Sequence, residues 1–163
     1  MFDFRIVSLC AVLAFGAAPA GAQEAQVAFG AVKADPSLPV EVTSETLKVN
    51  QEDGSAEFLG NVVVVQGQMR LSADRVLVIY NEDRSGIERL EASDNVLLVS
   101  PPDAAEGDWA EYTIDSGVVV MTGNVLLSQG PSTISGDRMV ANLADGTATM
   151  SGRVKTILKS GGD

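Results

Sequence analysis

Acidic side chains are the groups whose spacing could offer chemistry, because the 163 residues contain no histidine and one cysteine. Asp74, Asp108 and Asp137 recur after a Ser or Glu two positions earlier. Such a series could bind calcium through oxygen ligands, although an aspartate at the entrance of a strand more often accepts bonds from nearby backbone amides. No spacing singles out an acid and base pair. The sequence therefore predicts no enzyme, no catalytic residue, no metal site and no cofactor.

The charge balance narrows the choice of partners. The chain has a formal net charge of −11, from 11 basic and 22 acidic residues. An acidic surface repels phosphates, so we expect no nucleic-acid binding. Zinc, haem and iron–sulfur sites and a Ser-His-Asp triad are excluded by the missing histidine and cysteine ligands.

The first residues have the pattern of a secretory signal peptide. An apolar run from Ile6 to Ala18 is followed by Ala20-Gly21-Ala22, the small-x-small step that signal peptidase cleaves. We predict a signal peptide over residues 1–22 with cleavage before Gln23. Residues 23–39 are rich in Ala, Gln and Pro, which predicts a flexible or loosely docked arm.

Three short patterns recur in a fixed order through the rest of the chain. Turn-forming glycines after Asp or Ser stand at 54, 86, 117 and 146, which are 32, 31 and 29 residues apart. Each is followed by a Gly-Asn-Val-like step, and an acidic mark precedes the next strand. The steps are Gly60-Asn61-Val62, Asp94-Asn95-Val96, Gly123-Asn124-Val125 and Gly152-Arg153-Val154; the acidic marks are Glu45, Asp74, Asp108 and Asp137.

This order predicts four strand-rich units of about 30 residues, none of which can bury its apolar face alone. The two most similar units, 58–78 and 121–141, are related by a shift of 63 residues. They share Gln66 with Gln129 and Gly67 with Gly130. The Gly-Asn steps themselves predict bends or bulges.

The segments between the marks predict strands, since they are short, rich in Val, Ile, Leu and Thr, and without a helical period. Because side chains alternate across a strand, counting from the marks places one apolar face through all four units. That face comprises Leu47, Val49, Val62, Val64, Val76, Val78, Tyr80, Val96, Leu98, Ala110, Tyr112, Ile114, Val125, Leu127, Met139, Ala141, Leu143, Val154 and Leu158.

A stack of antiparallel strands must curl or pair its sheets to hide a shared apolar face. This predicts an all-β solenoid, sandwich or jelly-roll-like architecture. The inward side chains are mostly aliphatic, so a half-open groove would suit acyl chains, whereas a closed one would be an ordinary core. At about 25 cal/mol per Å², an acyl chain of about a dozen methylenes gains several kcal/mol in such a groove.

The motifs resemble those of the LptA/OstA family. The similarity covers about residues 40–158 and is carried by Phe58-Leu59-Gly60-Asn61-Val62 through Gln66-Gly67 to Ser72-Ala73-Asp74-Arg75, with the echo Thr122-Gly123-Asn124-Val125 to Ser135-Gly136-Asp137-Arg138. The resemblance implies a periplasmic bridge protein that moves lipopolysaccharide from the inner to the outer membrane. It also implies a twisted, open β-jelly roll over 40–158, before a short tail at 159–163.

The resemblance further implies site residues and partners. It places Val40, Val42, Val96, Leu98, Tyr112 and Ile114 on a lipid-facing interior. We extend the lipid-binding prediction to other members of the same apolar face, namely Val62, Val64, Val76, Val78, Val125 and Leu127. The implied partners are lipopolysaccharide through its lipid A acyl chains, inner-membrane anchored and outer-membrane barrel proteins with similar jelly-roll domains, and further copies joined end to end. The alternative is a structural or assembly module that binds no lipid and pairs with partners through its edge strands.

Overall fold

The computed structural model describes residues 24–159. The predicted signal peptide, its cleavage before Gln23 and residues 160–163 of the tail lie outside the described residues. The described chain forms eleven strands: β1 (Glu24–Ala28), β2 (Glu41–Thr43), β3 (Thr46–Val49), β4 (Ala56–Gln66), β5 (Met69–Tyr80), β6 (Ile87–Ser100), β7 (Asp103–Thr113), β8 (Val118–Gln129), β9 (Ser132–Asn142), β10 (Thr147–Ser151) and β11 (Lys155–Ile157).

All strand pairs are antiparallel, and consecutive strands from β4 to β10 are neighbours in one sheet. The order is β1-β10-β9-β8-β7-β6-β5-β4-β2, with β3 also pairing with β4 and β11 with β9. Thus the first described strand joins the last units of the sheet, whereas β2 and β3 lie at its opposite end. The prediction of an all-β stack of antiparallel strands is confirmed.

A line of bulges divides the sheet into two walls. The register shifts between Leu59 and Val62 in β4, and corresponding shifts follow in the pairs of β5 to β9. Wall 1 holds β2, β11 and the halves of β4–β9 next to the turns at 67–68, 101–102 and 130–131. Wall 2 holds β3, β10, β1 and the other halves, next to the turns at 81–86, 114–117 and 143–146. We call the bulge line the crease and the opposite side, where the two sets of turns face one another, the seam.

The two walls fold over one another because each has one apolar face. Tyr112 in wall 2 donates a hydrogen bond from its hydroxyl to the Gln66 carbonyl oxygen in wall 1 at 2.6 Å, although β7 and β4 are not neighbouring strands. Side chains of both inner faces form a single hydrophobic core cluster. The result is an apolar trough that runs across the strands from β2 and β3 to β1 and β11.

One region departs from the prediction. Residues 23–39 were expected to be a flexible or loosely docked arm, but Glu24–Ala28 pairs with β10 along its whole length. The sequence signal for this strand is weak because Ala and Glu are depleted in strands. The strand is held by the alternation of Ala25 and Val27, which lie opposite the buried Met150 and Ala148.

The predicted hairpin turns are confirmed. Asp53-Gly54, Ser85-Gly86, Ser116-Gly117 and Asp145-Gly146 all lie in connections between consecutive strands. Three of these glycines have positive φ, at +74° for Gly54, +69° for Gly117 and +72° for Gly146. All four connections lie at the ends of wall 2 strands.

Candidate functional site in an apolar trough

The residues predicted to face a lipid lie on the inner face of the trough. Ten of them are buried: Val62, Val64, Val76, Val78, Val96, Leu98, Tyr112, Ile114, Val125 and Leu127. Val40 and Val42 are half-buried and pack against the same core. The structure therefore brings all twelve together on one surface, which is lined almost entirely by aliphatic side chains.

The end of the trough at β3 is open. Leu47 lies opposite Phe58 and Val49 opposite Ala56, so the inner side of the sheet extends onto β3 as the alternation predicts. However, Leu47 is 54% and Val49 62% exposed. The cause is that β3 is the end strand of wall 2, and within residues 24–159 no further strand packs beyond it.

The other end of the trough leaves apolar groups exposed as well. Leu158, which the alternation placed on the inner face, follows β11 and is 77% exposed. Tyr80, at the end of β5 and so nearer the β3 end, is 38% exposed. These departures share a cause: alternation fixes the direction of a side chain but not whether a neighbour covers it.

Tyr112 and Gln66 form the polar link inside the trough. Both side chains are buried, and the Gln66 amide nitrogen also donates to the Leu38 carbonyl oxygen at 3.0 Å. Burial raises the pKa of the Tyr112 phenol to about 12, since the phenolate would lose its hydration. Tyr112 is therefore a neutral donor that ties wall 2 to wall 1.

The two remaining repeated patterns bind one another along the crease. Asn61 donates from its side-chain amide to Glu45 at 2.8 Å, Asn95 to Asp74 at 2.7 Å and Asn124 to Asp108 at 3.0 Å. In the fourth unit the Arg153 guanidinium takes the place of the amide and donates to both carboxylate oxygens of Asp137, at 2.7 and 3.1 Å. These hydrogen bonds from Arg153 lower the pKa of the Asp137 carboxyl.

This geometry confirms the bends and corrects the interpretation of the aspartates. Asp74 and Asp108 lie inside β5 and β7, at the crease and not at a strand entrance, and they accept from side chains where backbone amides were expected. Within the described residues, no group of three or more potential ligands is arranged to hold a metal ion. The acidic marks therefore fasten the bends.

The glycines of the Gly-Asn steps are needed for conformation and space. Gly123 has a φ of +80°, and a Cβ there would lie 2.7 Å from the Cβ of Asp108. Gly60 and Gly152 are similar, with φ of +81° and +77°. The second unit has Asp94 at this position, with a φ of +67°. A non-glycine residue in this region is strained, although Asp and Asn tolerate it best.

The outer face of wall 2 carries ion pairs. The Arg75 guanidinium binds Glu57, and the Arg89 guanidinium lies 2.6 Å from Glu88 and 3.1 Å from Glu91. Hydrogen bonding to Arg75 lowers the pKa of the Glu57 carboxyl. These groups are partly exposed and contribute little to stability. The polar exterior and aliphatic interior together give the trough its amphipathic wall.

The sequence interpretation missed the segment that covers the seam. Ala28–Leu38, which we call the strap, runs between the turns of the two walls, and Phe29 on it is 1% exposed. Gln66 and Gln129, matched in the repeat, both donate from their side-chain amides to strap carbonyls. The match of Gln66 with Gln129 in the repeat was the available sequence signal. It did not identify residues 28–38 as the segment that these two side chains bind.

Fold and site together define an all-β protein, a single antiparallel sheet folded over an aliphatic interior. The sequence matches, over residues 41–154, the family described as "LptA/(LptD N-terminal domain) LPS transport protein". The chain belongs to this family, which confirms the resemblance found in the motifs. Within residues 24–159, no helix is long and apolar enough to cross a membrane.

Individual relatives are distant. An uncharacterized protein of Rhizobium meliloti is 28% identical over 131 residues, covering 74% of this chain and 70% of the relative. The lipopolysaccharide export system protein LptA of Escherichia coli K12 is 27% identical over 100 residues, covering 58% of this chain and 54% of that protein. The crystal structure of LptH from Pseudomonas aeruginosa, described as the LptA-homologous periplasmic component of a lipopolysaccharide transport device, superposes with a TM-score of 0.70 at 18% identity, over 78% of this chain and 99% of LptH. That likeness shows a shared fold.

Proposed function

We propose that this protein is a periplasmic lipopolysaccharide carrier that shelters acyl chains in its trough between the inner and outer membranes. The observation that carries the proposal is the single aliphatic inner face, which runs through every unit and ends in the exposed Leu47 and Val49. An acyl chain of about a dozen methylenes would gain about 10 kcal/mol by complete burial, at about 0.8 kcal/mol per methylene. Family membership supports the class of lipid.

The test uses two neighbouring positions with opposite facing. Phe58 lies on the inner face, half-buried near the open end, and Leu59 follows it on the outer face of the same strand. A benzophenone side chain at position 58 keeps the phenyl ring of Phe58 and adds a benzoyl group. We expect a lipopolysaccharide adduct on ultraviolet irradiation of cells with the probe at 58 and none with the probe at 59. Equal labelling, or none at either site, would contradict an interior lipid site.

A deeper pair tests the predicted residues in the middle of the trough. A probe at Tyr112 should label lipid, whereas one at Thr113, on the outer face of the same strand, should not. If the probe at 112 yields only a protein adduct, the trough holds no lipid. That result would favour the alternative, an assembly module with a closed core, which draws support from the complete burial of Tyr112 and its neighbours.

We further propose that copies of the chain and its partners join end to end through their edge strands. Among the described residues, the edge strands of wall 1 are β2 and β11, which carry Glu41 and Lys155 on the outer face. In wall 2 they are β3 and β1, which carry Lys48 and Glu24 on the outer face. When the β2–β3 end of one copy docks onto the β1–β11 end of the next, Glu41 meets Lys155 in wall 1 and Lys48 meets Glu24 in wall 2. Each pair has opposite charges, and the acidic member comes from a different end in each wall. This arrangement supports one orientation of a partner with the same fold.

A further inference from the structure

The strap fastens the two walls at the seam. On the wall 2 side, the Phe29 amide donates to the Gly146 carbonyl and the Ala34 amide to the Leu143 carbonyl, each at 2.9 Å. On the wall 1 side, the Ala31 amide donates to the Pro101 carbonyl at 2.8 Å. Because these bonds alternate between the two sides, the strap is a bridge across the seam.

Three positions at the strand ends of wall 1 clamp the strap along its length. Gln129, at the end of β8, donates to the Ala28 carbonyl at 2.5 Å. Asp103, 8% exposed, accepts from the Gly30 amide at 2.9 Å and from Gln129 at 3.2 Å. Gln66, at the end of β4, holds the Leu38 carbonyl at 3.0 Å. From β8 to β4 is four strand spacings, about 19 Å, so the strap covers the middle of the trough lengthwise.

The strap places one side chain inside the trough and arches over a cavity elsewhere. Phe29 belongs to the same hydrophobic cluster as the predicted lipid-facing residues. Farther along, a cavity of about 220 Å³ lies between the strap residues Val32–Asp35 and Leu38 and the inner residues Gln66, Met69 and Leu143. The strap thus occupies part of the space that an acyl chain would need, and it is linked to the interior by the hydrogen-bond chain from Tyr112 through Gln66 to Leu38.

We infer that the strap is displaceable and that the buried position of Phe29 is an acyl-chain subsite, which the strap fills in the unloaded protein and vacates when lipid enters. This inference rests on the proposed function for the identity of the lipid. Displacement opens the seam, where a charged headgroup can stay in water while its chains enter. The crease stays closed because its acid and amide pairs do not touch the strap.

A reversible tether tests the displacement. A Cβ at Gly30 would lie 3.1 Å from the Cβ of Ser100, close to the roughly 3.5–4.5 Å between Cβ atoms in disulfides. The tether combines Gly30→Cys with Ser100→Cys. Cys10, the one natural cysteine, is replaced by serine so that only the two introduced thiols are present. We expect the oxidised protein to bind fluorescent lipopolysaccharide at least 10-fold more weakly than the same protein after reduction. The single variants Gly30→Cys and Ser100→Cys control for the strain at Gly30, whose φ is +76°.

Equal binding before and after reduction would overturn the displacement while leaving the proposed function intact. Failure of the unsubstituted protein to bind lipopolysaccharide would instead overturn the proposed function. In that case, hydrogen exchange of the free protein tests whether the strap opens separately from the sheet. The amides of Phe29, Ala31 and Ala34 should exchange at least 100-fold faster than the sheet amides of Val64 and Leu98. Exchange of both sets at one rate would show that the strap does not open separately.

Hydrogen exchange also covers the case in which the reduced pair fails to bind. In the unsubstituted protein loaded with lipopolysaccharide, the three strap amides should lose protection while those of Val64 and Leu98 keep it. Unchanged protection of the strap on loading would overturn the inference. Loss of protection would uphold it without the engineered cysteines.

Discussion

Replacement of Tyr112 by phenylalanine should destabilise the protein at neutral pH and remove one source of alkaline sensitivity. The Phe side chain fills the same space but leaves the Gln66 carbonyl oxygen buried without its donor at 2.6 Å. An unsatisfied buried acceptor costs about 1–3 kcal/mol. At pH 8, therefore, the free energy of unfolding of the Tyr112→Phe variant should be lower than that of the unsubstituted protein by this amount.

The pH dependence has a definite sign. The phenol pKa is about 12 in the folded protein against 10.0 for the ordinary group, so the folded state holds this proton more tightly than the unfolded state. The associated stability is fully present below pH 10 and is lost as the pH rises to 12. The loss is about 1.4 kcal/mol at pH 11 and about 2.7 kcal/mol above pH 12, at 1.36 kcal/mol per pKa unit. The Phe variant lacks this loss.

The assay is urea unfolding of both proteins at pH 8 and pH 11, followed by circular dichroism. Every other side chain is the same in both proteins, so its contribution cancels in the difference. We expect the gap in stability to shrink by about 1.4 kcal/mol between the two pH values. A gap that stays constant would refute the reasoning, since it would mean that Tyr112 is not desolvated in the folded state.

Three further substitutions test the crease and the ends. Gly123→Ala should lower the free energy of unfolding by about 2 kcal/mol or more in urea titration, because it adds backbone strain and a clash with Asp108; Gly130→Ala, with a φ of +56° and nothing within 4 Å of a Cβ, should cost less, and equal costs would contradict the clash. Asp94→Gly should raise the urea midpoint by an amount equivalent to about 1 kcal/mol, since it relieves a positive φ; an unchanged or lower midpoint would show that the Asp side chain compensates its own strain. Lys155→Glu should weaken end-to-end association in sedimentation velocity, and combination with Glu41→Lys should restore it; no restoration would contradict a pairing of these edges.

The sequence was sufficient for the features that repeat. The Gly-Asn-Val steps predict bends since Gly, Asn and Asp tolerate positive φ values best, and the structure has two such values in succession at Gly60-Asn61 and Gly123-Asn124. The alternation of side chains correctly placed the buried Val62 and Val125 inside. Both predictions work because they depend on local backbone geometry, which each unit repeats.

Features set by single, distant contacts could not be predicted in this way. The strap lacks periodicity. Its order comes from backbone amides that donate to carbonyls 70 or more residues away, as between Ala31 and Pro101 or Phe29 and Gly146. Likewise, Leu47 follows the alternation but is exposed, because its position at the end of the stack depends on which strands come next. A short stretch of sequence contains neither the distant carbonyl that a backbone amide will bind nor the strand that will pack next to it.

The polar contacts determine which side of the trough can open. Four side-chain pairs fasten the crease, whereas the seam is closed by the strap and by the bond from Tyr112 to Gln66. Six hydrogen bonds of 3.0 Å or less hold the strap, at about 1 kcal/mol net each. Exposure of Phe29 costs about 2–3 kcal/mol, so release costs about 8–9 kcal/mol. Burial of one acyl chain of about a dozen methylenes returns about 10 kcal/mol. Counted relative to water, the two quantities nearly cancel, which agrees with the proposed displacement of the strap by a single chain. A carrier that both accepts and releases its lipid requires such a balance. In a structural core, by contrast, a strap with a much larger free energy of release would be more stable.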